Sequence, residues 1–344
     1  MPDLEFQKRL PSLKRIIQIT VMNNKSSATA NPHIQEIVIP HTYLEALLGF
    51  ELYLYSAPLF IYFYDPNQNS ELYSWYETYD GTYHHWWVKL PQISADSSYS
   101  IYMIYDSSQI QLDGDYVGIS PDFAYYINNI VDSYGQYDNG TNVFYYYWNF
   151  SGTSLPSGFS TYGSVSVNNK LILSVNNSWA YIYASISSLP STGIMSRVHW
   201  MALSNTGEIK NFWGYGVTGS STLDNYYGYY LIDQSAGSVL LSYAKAGWYS
   251  IASTGWSESL YTYYMSTGYW YGNYLMTKVF GMLTGSPNIT LGPVYNTTYS
   301  LSQVQQHALS WQSGTSSTMY AFVYAIMDAP PNGIMPTYLF KPIS

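Results

Sequence analysis

The sequence of 344 residues contains no cysteine and little charge, since Asp, Glu, Lys and Arg together make up only 10%. Without cysteine, disulfide bonds, thiolate chemistry, Cys-ligated zinc and iron–sulfur clusters are excluded. Low charge combined with 47% hydrophobic residues excludes a conventional disordered chain, which needs the opposite balance. The longest strongly apolar run, residues 52–64, is too short for a membrane span, which needs about 20 residues.

The few charged residues are unevenly distributed. Residues 1–138 hold sixteen of the 21 acidic residues and six of the twelve basic ones, a net charge of −10. Residues 139–344 hold five acidic and six basic residues, a net charge of +1. This change in composition predicts a domain boundary near residue 138. The overall net charge of −9 makes nucleic acid an unexpected partner.

Aromatic and small polar residues are abundant, with 41 Tyr, 11 Trp and 12 Phe. This composition is typical of strands and turns. Ile17, Ile19 and Val21 alternate with polar residues, which is the pattern of a half-buried strand. After residue 139, about a dozen short strand patterns are separated by Ser, Gly and Asn turns, as in sandwiches and jelly rolls.

Helical patterns are confined to short segments of the N-terminal half. Thr42 and Glu45 have the spacing of a capping box, followed by a leucine stripe that ends at Gly49. A second helix is expected over residues 121–133, with Ser120 as its N-cap. We therefore expect an all-β protein of two β-sandwich domains, with one or two short helices in the N-terminal half.

Several segments together carry a family resemblance. They are IQITVMN (17–23), IYFYDPNQNSELYSWYE (61–77), WVKLPQI (87–93), IYMIYD (101–106), NGTNVFYYYWNFSG (139–152) and PPNGIMPTYLF (330–340). In this order they resemble surface proteins of archaea and bacteria in which a small β domain of unknown function precedes a concanavalin A-like (laminin G-like) jelly roll. The resemblance implies an N-terminal β-sandwich domain over 14–106 and a jelly roll over 139–344. Residues 1–13 then form a basic N-terminal arm, and residues 107–138 an insertion or linker with a short helix.

The composition and layout also resemble virion surface or turret-type proteins of viruses that infect hot-spring archaea. Members of the surface family are usually exported, whereas residues 1–21 show no apolar signal-peptide core. A capsid subunit assembled in the cytoplasm needs none. The resemblance implies a non-enzymatic structural protein on the virion surface of a thermophile's virus. It would contact its own copies and other capsid or surface proteins. The alternatives are a cell-surface adhesin or filament subunit, with an extracellular location, and a carbohydrate-active enzyme.

Carboxylate spacing argues against the enzyme. Jelly-roll glucanases carry paired Glu residues around an Asp, at E-x-D-x-x-E spacing, to protonate the leaving oxygen and attack the sugar. The acidic residues after 139 are Glu208, Asp224, Asp233, Glu258 and Asp328. Because none of them share that spacing, we expect no enzymatic activity and no cofactor.

Metal ligands are sparse in the sequence, and no metal site is expected. Asp113 and Asp115 offer hard oxygen ligands for calcium in a Gly-containing loop, although an exposed acidic turn explains them as well. His84 and His85 are adjacent, so on a strand they face opposite sides and cannot chelate one ion together. They and the isolated His33 and His41 are expected in turns or on the surface.

Clusters of Tyr and Trp among Gly and Ser are the candidate binding residues. Aromatic rings stack on the C–H faces of sugars, and Tyr is also a rigid contact residue with a polar tip. Glycan binding for host attachment, contact between subunits, and filling of the sandwich core all remain open. The candidates for glycan or subunit contact are Trp213, Tyr215, Tyr226, Tyr227, Tyr269, Trp270 and Tyr271.

Six N-x-[ST] sequons are candidate glycosylation sites, although chance alone would give about four in a chain this rich in Asn, Ser and Thr. They begin at Asn24, Asn139, Asn149, Asn176, Asn288 and Asn296. A second expectation follows from the neutral composition of residues 139–344. Because few groups there titrate, this domain is expected to tolerate acid better than the rest.

Overall fold

The structure is a computed structural model. It describes residues 13–52, 57–176, 179–186, 190, 192–204, 208–216, 225–233, 238–245, 248–256, 259–285, 288–295, 297, 305–313 and 316–343. For the described residues within 204–250 and 305–317, and for residues 179 and 288, only the backbone is described. Residues 1–12 of the expected basic arm lie outside the described residues.

Strands make up most of the described chain. The first eight are β1 (Lys14–Asn23), β2 (His33–Pro40), β3 (Ile61–Asp65), β4 (Ser70–Leu72), β5 (Ser74–Tyr79), β6 (Tyr83–Leu90), β7 (Ser97–Asp106) and β8 (Val117–Ile119). The next eight are β9 (Tyr146–Trp148), β10 (Phe159–Tyr162), β11 (Ser164–Val167), β12 (Leu171–Asn176), β13 (Trp179–Ser185), β14 (Ile194–Ser204), β15 (Glu208–Gly216) and β16 (Asn225–Asp233). The last eight are β17 (Ser238–Lys245), β18 (Trp248–Gly255), β19 (Tyr264–Tyr271), β20 (Tyr274–Gly281), β21 (Asn288–Tyr295), β22 (Gln305–Ser313), β23 (Ser316–Asp328) and β24 (Thr337–Ile343).

The chain forms two compact units. Unit 1 comprises residues 1–146 together with 330–344, and unit 2 comprises residues 147–329. This division corrects the expected boundaries at 106 and 138, because the segment 107–138 belongs to unit 1 and is not a linker. The end of the chain also belongs to unit 1, since β24 pairs antiparallel with β1 through Ile16 opposite Ile343.

Unit 1 contains two sheets. One has the strand order β24-β1-β7-β3-β4, and the other has the order β2-β6-β5-β8. The predicted alternation in β1 is confirmed, because Ile17, Ile19 and Val21 are buried while Gln18 and Thr20 are partly exposed. The strand β8 runs parallel to β5, and it anchors the segment after β7 to the second sheet.

Unit 2 is a sandwich of two antiparallel sheets. The orders are β10-β13-β22-β15-β16-β17-β18 and β11-β12-β23-β14-β19-β20-β21. Strands of one sheet lie against strands of the other, for example β12 against β13 and β18 against β21. The central strand β23 buries residues of both its faces, including Val323 and Tyr324, as strands do when both faces are covered. The expected all-β sandwich class, with a jelly roll in the C-terminal half, is confirmed.

Helices are short. They are α1 (His41–Leu48), α2 (Ala57–Phe60), α3 (Gly140–Val143), a π-helical turn (Phe123–Ile127) and a 3₁₀ turn (Pro331–Gly333). The predicted capping box of α1 is wrong: Pro40 caps the helix without a side-chain bond, and Glu45 instead accepts from the Leu52 N–H. The helix expected over 121–133 is shorter, because Asn129 adopts a φ of 50°. Within the described residues, none of the helices has the length and apolar character to cross a membrane.

Candidate functional site

Three tyrosines form an exposed aromatic surface on unit 2, which we call the tyrosine row: Tyr271, Tyr274 and Tyr295. The rings of Tyr271 and Tyr274 are stacked, with centroids 5.4 Å apart and an interplanar angle of 18°. The Tyr295 ring lies 5.2 Å from that of Tyr274 at 57°. Tyr274 and Tyr295 are 44% and 61% exposed. Tyr271 is half-buried beside them, and contiguous exposed aromatic patches are candidate contact surfaces.

The pairing of β19, β20 and β21 brings the three rings of the tyrosine row together. Tyr271 pairs with Tyr274 across β19 and β20, and Tyr274 pairs with Tyr295 across β20 and β21. Directly opposed residues of neighbouring strands lie on the same face, so the three rings follow one another across the sheet. The two-residue turn Gly272-Asn273 joins β19 to β20, and Gly272 takes a positive φ of 58° there.

The base of the row is firmly held. The indole Nε1–H of Trp270 donates to the Gly272 carbonyl at 2.9 Å, which fixes the turn. Gly193 lies so close that an added Cβ would come 2.4 Å from the Trp270 carbonyl oxygen and 2.7 Å from the Tyr271 Cα. Its φ of 107° independently favours glycine. The sheet is therefore closely packed at the base of the row.

Only part of the predicted contact set reaches the surface. Trp270 and Tyr269 are buried, so their prediction as contact residues is wrong. Trp270 lies on the face of β19 opposite to Tyr271, and the Tyr269 ring is covered by the Lys278 ammonium at 5.6 Å. Tyr271 stays a candidate.

The remaining predicted aromatics lie on two neighbouring strands. Trp213 and Tyr215 lie on β15, and Tyr226 and Tyr227 on β16, where Tyr215 pairs with Tyr227. Their side chains are outside the described residues, so their contact role stays a prediction. Tyr274 ends the aromatic cluster of residues 263–274, but neither Tyr274 nor Tyr295 is among the predicted contact residues. The signal for Tyr274 is the Tyr-Gly-Asn-Tyr pattern of a two-residue hairpin, but Tyr295 has no comparable local pattern.

The calcium candidates Asp113 and Asp115 lie in a tight turn of unit 1. Asp113 Oδ1 accepts from the N–H groups of Asp115 and Val117 at 2.8 and 2.9 Å. Burial, together with the negative charges of Asp113 and Asp115, raises the pKa of Glu71 to about 7. The turn explains the position of Asp113 without an ion, and calcium binding there stays a prediction.

The sequons fall in different environments. Asn139 is buried, and its Nδ2 donates to the carbonyls of Ser74 and Asp115, so its prediction as a glycosylation site is wrong for the folded chain. Asn24 and Asn176 are exposed, and Asn149 is half-buried. The side chain of Asn288 and all of Asn296 lie outside the described residues. Apart from Asn139, the sequons stay predictions.

The expectation of surface histidines is wrong for the second sheet of unit 1. His33 and His84 are fully buried. His84 accepts or donates hydrogen bonds with the Tyr76 hydroxyl and His41 Nδ1, both at 2.9 Å. Burial, with the nearby His41 and His85, lowers the pKa of His84 to about 3, so its imidazole is neutral at pH 7.

His85 belongs to a separate cluster, which we call the carboxylate–histidine cluster: Glu36, Glu77, Asp80 and His85. His85 Nε2 lies 3.1 Å from Asp80 Oδ2, and its Nδ1 lies 3.4 Å from Glu36 Oε1. Burial lowers the pKa of His85, but hydrogen bonds to Asp80 and Glu36 and the charges of Glu36 and Glu77 outweigh it and raise the pKa to about 9. As the strand alternation predicts, His84 and His85 have different partners.

Comparison with known proteins gives a viral relative in sequence and solved structures of low similarity. No family model matches the chain. The chain is 30% identical over 170 residues to uncharacterized protein 562 of Sulfolobus islandicus rod-shaped virus 1, covering 48% of this chain and 27% of that protein. The chain thus spans about a quarter of the length of this curated relative.

Among solved structures, two examples show a low similarity to this chain. The carbohydrate-binding module CBM66 from Bacillus subtilis is 11% identical, with a TM-score of 0.36, over 49% of this chain and 95% of that chain. A winged bean acidic lectin complexed with methyl-alpha-D-galactose is 9% identical, with a TM-score of 0.39, over 53% of this chain and 99% of that chain. At these scores, nothing about binding follows from the likeness.

Proposed function

We propose that this protein is a non-enzymatic structural protein of a virus particle that contacts glycans through the tyrosine row. The observation that carries the glycan part is the alignment of Tyr271, Tyr274 and Tyr295 on one exposed face. The viral part is supported by the similarity to the rod-shaped virus protein. The location on the virion surface is part of the same proposal.

The row has the chemistry that a sugar surface needs. Pyranose rings present C–H groups that pack on aromatic faces, while the phenol hydroxyls at the edge can bond sugar hydroxyls. Burial and the neighbouring Tyr274 raise the pKa of Tyr271, so its phenol is uncharged at pH 7. Because the rings are already stacked, little side-chain freedom is lost when a ligand binds.

Glycan binding is tested with the double variant Tyr274→Ala/Tyr295→Ala. A glycan array of neutral and acidic oligosaccharides first identifies a ligand of the full chain, and calorimetry then measures its affinity. We expect the double variant to bind about 5- to 150-fold more weakly, because each ring removed is worth about 0.5–1.5 kcal/mol.

The matched control is Tyr261→Ala, which removes a tyrosine of unit 2 that is 69% exposed and outside the row. Its affinity should equal that of the unsubstituted chain. Unchanged binding by the double variant, or no binding to any glycan of the array, contradicts the glycan role. A row that instead mediates self-association would show as a concentration-dependent dimer that the double variant abolishes.

The structural role is tested on purified particles. Quantitative mass spectrometry should find this chain in particles at many copies, and antibodies against unit 2 should label intact particles. Absence from particles together with enrichment on the cell surface would instead favour the adhesin or filament alternative.

The non-enzymatic character rests on the acidic residues of the C-terminal half, which lack the spacing of a glycosidase pair. The full chain should release no reducing ends from the glycans that it binds. Sugar release that disappears on substitution of Glu208 or Glu258 would revive the enzyme alternative.

A further inference from the structure

We propose that Glu36, Glu77 and His85 of unit 1 bind one divalent transition-metal ion such as zinc. Each residue offers one ligand atom, and these three atoms lie within 4.8 Å of one another. This separation allows a single ion to contact all three after small side-chain adjustments, since zinc binds imidazole nitrogen and carboxylate oxygen at about 2.0–2.2 Å.

The fold brings the three ligands together from three adjacent strands. Glu36 lies on β2, His85 on β6 and Glu77 on β5. In the register of β2 and β6, Glu36 pairs with Trp87 and Val38 pairs with His85, so Glu36 and His85 share one face. The three strands therefore present their ligands on the same side of the sheet.

A β-bulge supplies the third ligand. The register of β5 against β6 shifts between Tyr76 and Thr78, which leaves Glu77 as the additional residue of β5. Its carboxylate lies on the face of Trp87, whose indole Nε1–H donates to Glu77 Oε2 at 3.0 Å. Bulges occur next to functional sites, where they redirect a side chain.

The second layer of contacts is that of a metal-bound histidine. His85 Nε2–H donates to Asp80 Oδ2 at 3.1 Å, which leaves Nδ1, 3.4 Å from Glu36 Oε1, as the nitrogen that binds the ion once the ion displaces its proton. Asp80 is itself fixed, because its Oδ1 accepts from the backbone N–H groups of Thr82 and Tyr83 at 2.9 and 2.8 Å. A carboxylate behind the ligand imidazole is what orients histidine in metal sites.

Burial and access also fit a bound ion. Glu77 is fully buried, and a charged carboxylate in that position needs strong compensation. The side chains of His85 and Glu36 are 12% and 21% exposed, so an ion can enter from their side. The ligand set of one nitrogen and two oxygens suits zinc and related ions better than magnesium or calcium, which prefer oxygen alone.

Calorimetry with zinc chloride tests the site on the full chain after removal of metals with EDTA. We expect one equivalent to bind and the melting temperature to rise with zinc concentration. Glu36→Gln, which changes a partly exposed ligand, should weaken binding at least about tenfold. Asp80→Asn should weaken it about 10–100-fold, because that carboxylate orients the ligand imidazole.

Two control variants test whether zinc binds at other acidic or histidine residues of unit 1. Asp113→Asn removes a carboxylate from the acidic turn of the same unit, and its zinc affinity should not change. His41→Gln disrupts the neighbouring pair in which His41 Nδ1 lies 2.9 Å from His84 Nε2, and it should also leave zinc binding unchanged. Loss of binding in His41→Gln with full binding in Glu36→Gln would overturn the assignment.

X-ray absorption on the unsubstituted zinc-loaded chain gives a test that needs no variant. The site predicts one imidazole and otherwise oxygen ligands around zinc. Two or more imidazoles, or the absence of zinc binding at neutral pH, overturns the proposal. The proposal is independent of the glycan role, because its ligands all belong to unit 1.

Discussion

The two units differ in the hydrogen-bond acceptors of their tryptophan indole N–H groups. In unit 1 the indole N–H groups of Trp75 and Trp87 donate to the carboxylates of Asp138 and Glu77. In unit 2 the indole of Trp200 donates to the Ser266 hydroxyl, and that of Trp270 to a backbone carbonyl. The same side chain is therefore satisfied by charge in one unit and by neutral oxygens in the other.

Net charge follows the same division. Unit 1 has seven Lys and Arg against sixteen Asp and Glu, a net charge of −9. Unit 2 has five of each, a net charge of zero. A fold that depends on buried carboxylates responds to pH and to cations, whereas one that depends on neutral contacts does not. Unit 2 also buries Arg197, His199 and Asp328. The comparison therefore assigns the larger ion dependence to unit 1 and zero net charge to unit 2.

The largest expected difference comes from one substitution made in each unit. Trp87→Phe removes the donor to the buried Glu77 carboxylate, and Trp200→Phe removes the donor to the Ser266 hydroxyl. Besides a similar loss of packing, we expect the first to cost about 2–3 kcal/mol and the second about 1 kcal/mol.

Urea unfolding of both variants in EDTA, at neutral pH, measures these costs through the transition of the affected unit. Trp86→Phe, at a third buried tryptophan, is measured beside them for comparison. Equal costs for Trp87→Phe and Trp200→Phe would remove the distinction between the two units.

The next effect concerns the chain end in unit 1. The Val38 N–H donates to the Tyr338 hydroxyl at 2.7 Å, and this hydroxyl donates to the Val38 carbonyl at 3.0 Å. Tyr338 on β24 thus satisfies both backbone groups of Val38 on the edge strand β2. Tyr338→Phe loses both bonds and should destabilise unit 1 by about 1–2 kcal/mol, measured by urea unfolding.

The conservative control is Phe340→Leu on the same strand, which changes packing but makes no such hydrogen bond. If Tyr338→Phe left the unfolding free energy of unit 1 unchanged, β24 would not unfold together with the rest of unit 1.

A smaller effect depends on pH. The pKa of Glu71 in the folded protein, about 7, is above its ordinary value of 4.5, so the ionised carboxylate destabilises unit 1. This penalty grows as the pH rises from about 4.5 to 7 and is complete above 7. Because Glu71 is only half-buried, solvent screening reduces the penalty to about 1 kcal/mol.

Glu71→Gln should therefore stabilise unit 1 at pH 8 and have little effect below pH 4.5, as measured by thermal melting over that range. Glu51→Gln, an exposed glutamate of the same unit, should change little at either pH. A stabilisation of equal size at pH 4 and pH 8 would exclude ionisation of Glu71 as its cause.

The smallest effect is expected for the row itself. Tyr274→Ala removes a 44% exposed ring, so the cost in unfolding free energy should be about 0.5 kcal/mol. Tyr269 lies two residues before Tyr271 on the same face of β19, and its ring is buried. Tyr269→Ala should therefore lower the unfolding free energy several times more, by about 3 kcal/mol. Equal costs, measured by urea unfolding, would show that the row is part of the core.

Local sequence patterns correctly predicted the elements whose position depends on burial of one face. The alternation of Ile17, Ile19 and Val21 identified β1, and the leucine stripe identified α1, because burial of one face fixes both. The predicted capping box was wrong because the Glu45 carboxylate accepts a hydrogen bond from the Leu52 N–H, which follows the helix. In clusters as aromatic as residues 263–274, alternation cannot distinguish the inner face from the outer one.

Long-range pairing could not be predicted in the same way. The carboxylate–histidine cluster joins Glu36 to residues more than forty positions away, and its third member depends on a bulge at Glu77. The return of β24 to β1 over three hundred residues likewise leaves no local signal. Register between distant strands is set by the packed sheet rather than by either segment alone.

Amide hydrogen exchange of the full chain tests the division between the units most directly. Protection factors are compared between pH 5 and pH 2 with EDTA present, after correction for intrinsic exchange. Burial disfavours the charge of Asp80, but hydrogen bonds from His85 and from the Tyr83 and Thr82 amides lower its pKa, so its stabilisation is lost as the pH falls. We predict that β2, β5 and β6 lose protection while β14, β19 and β23 keep it. Loss of protection in β14, β19 and β23 first would contradict the account.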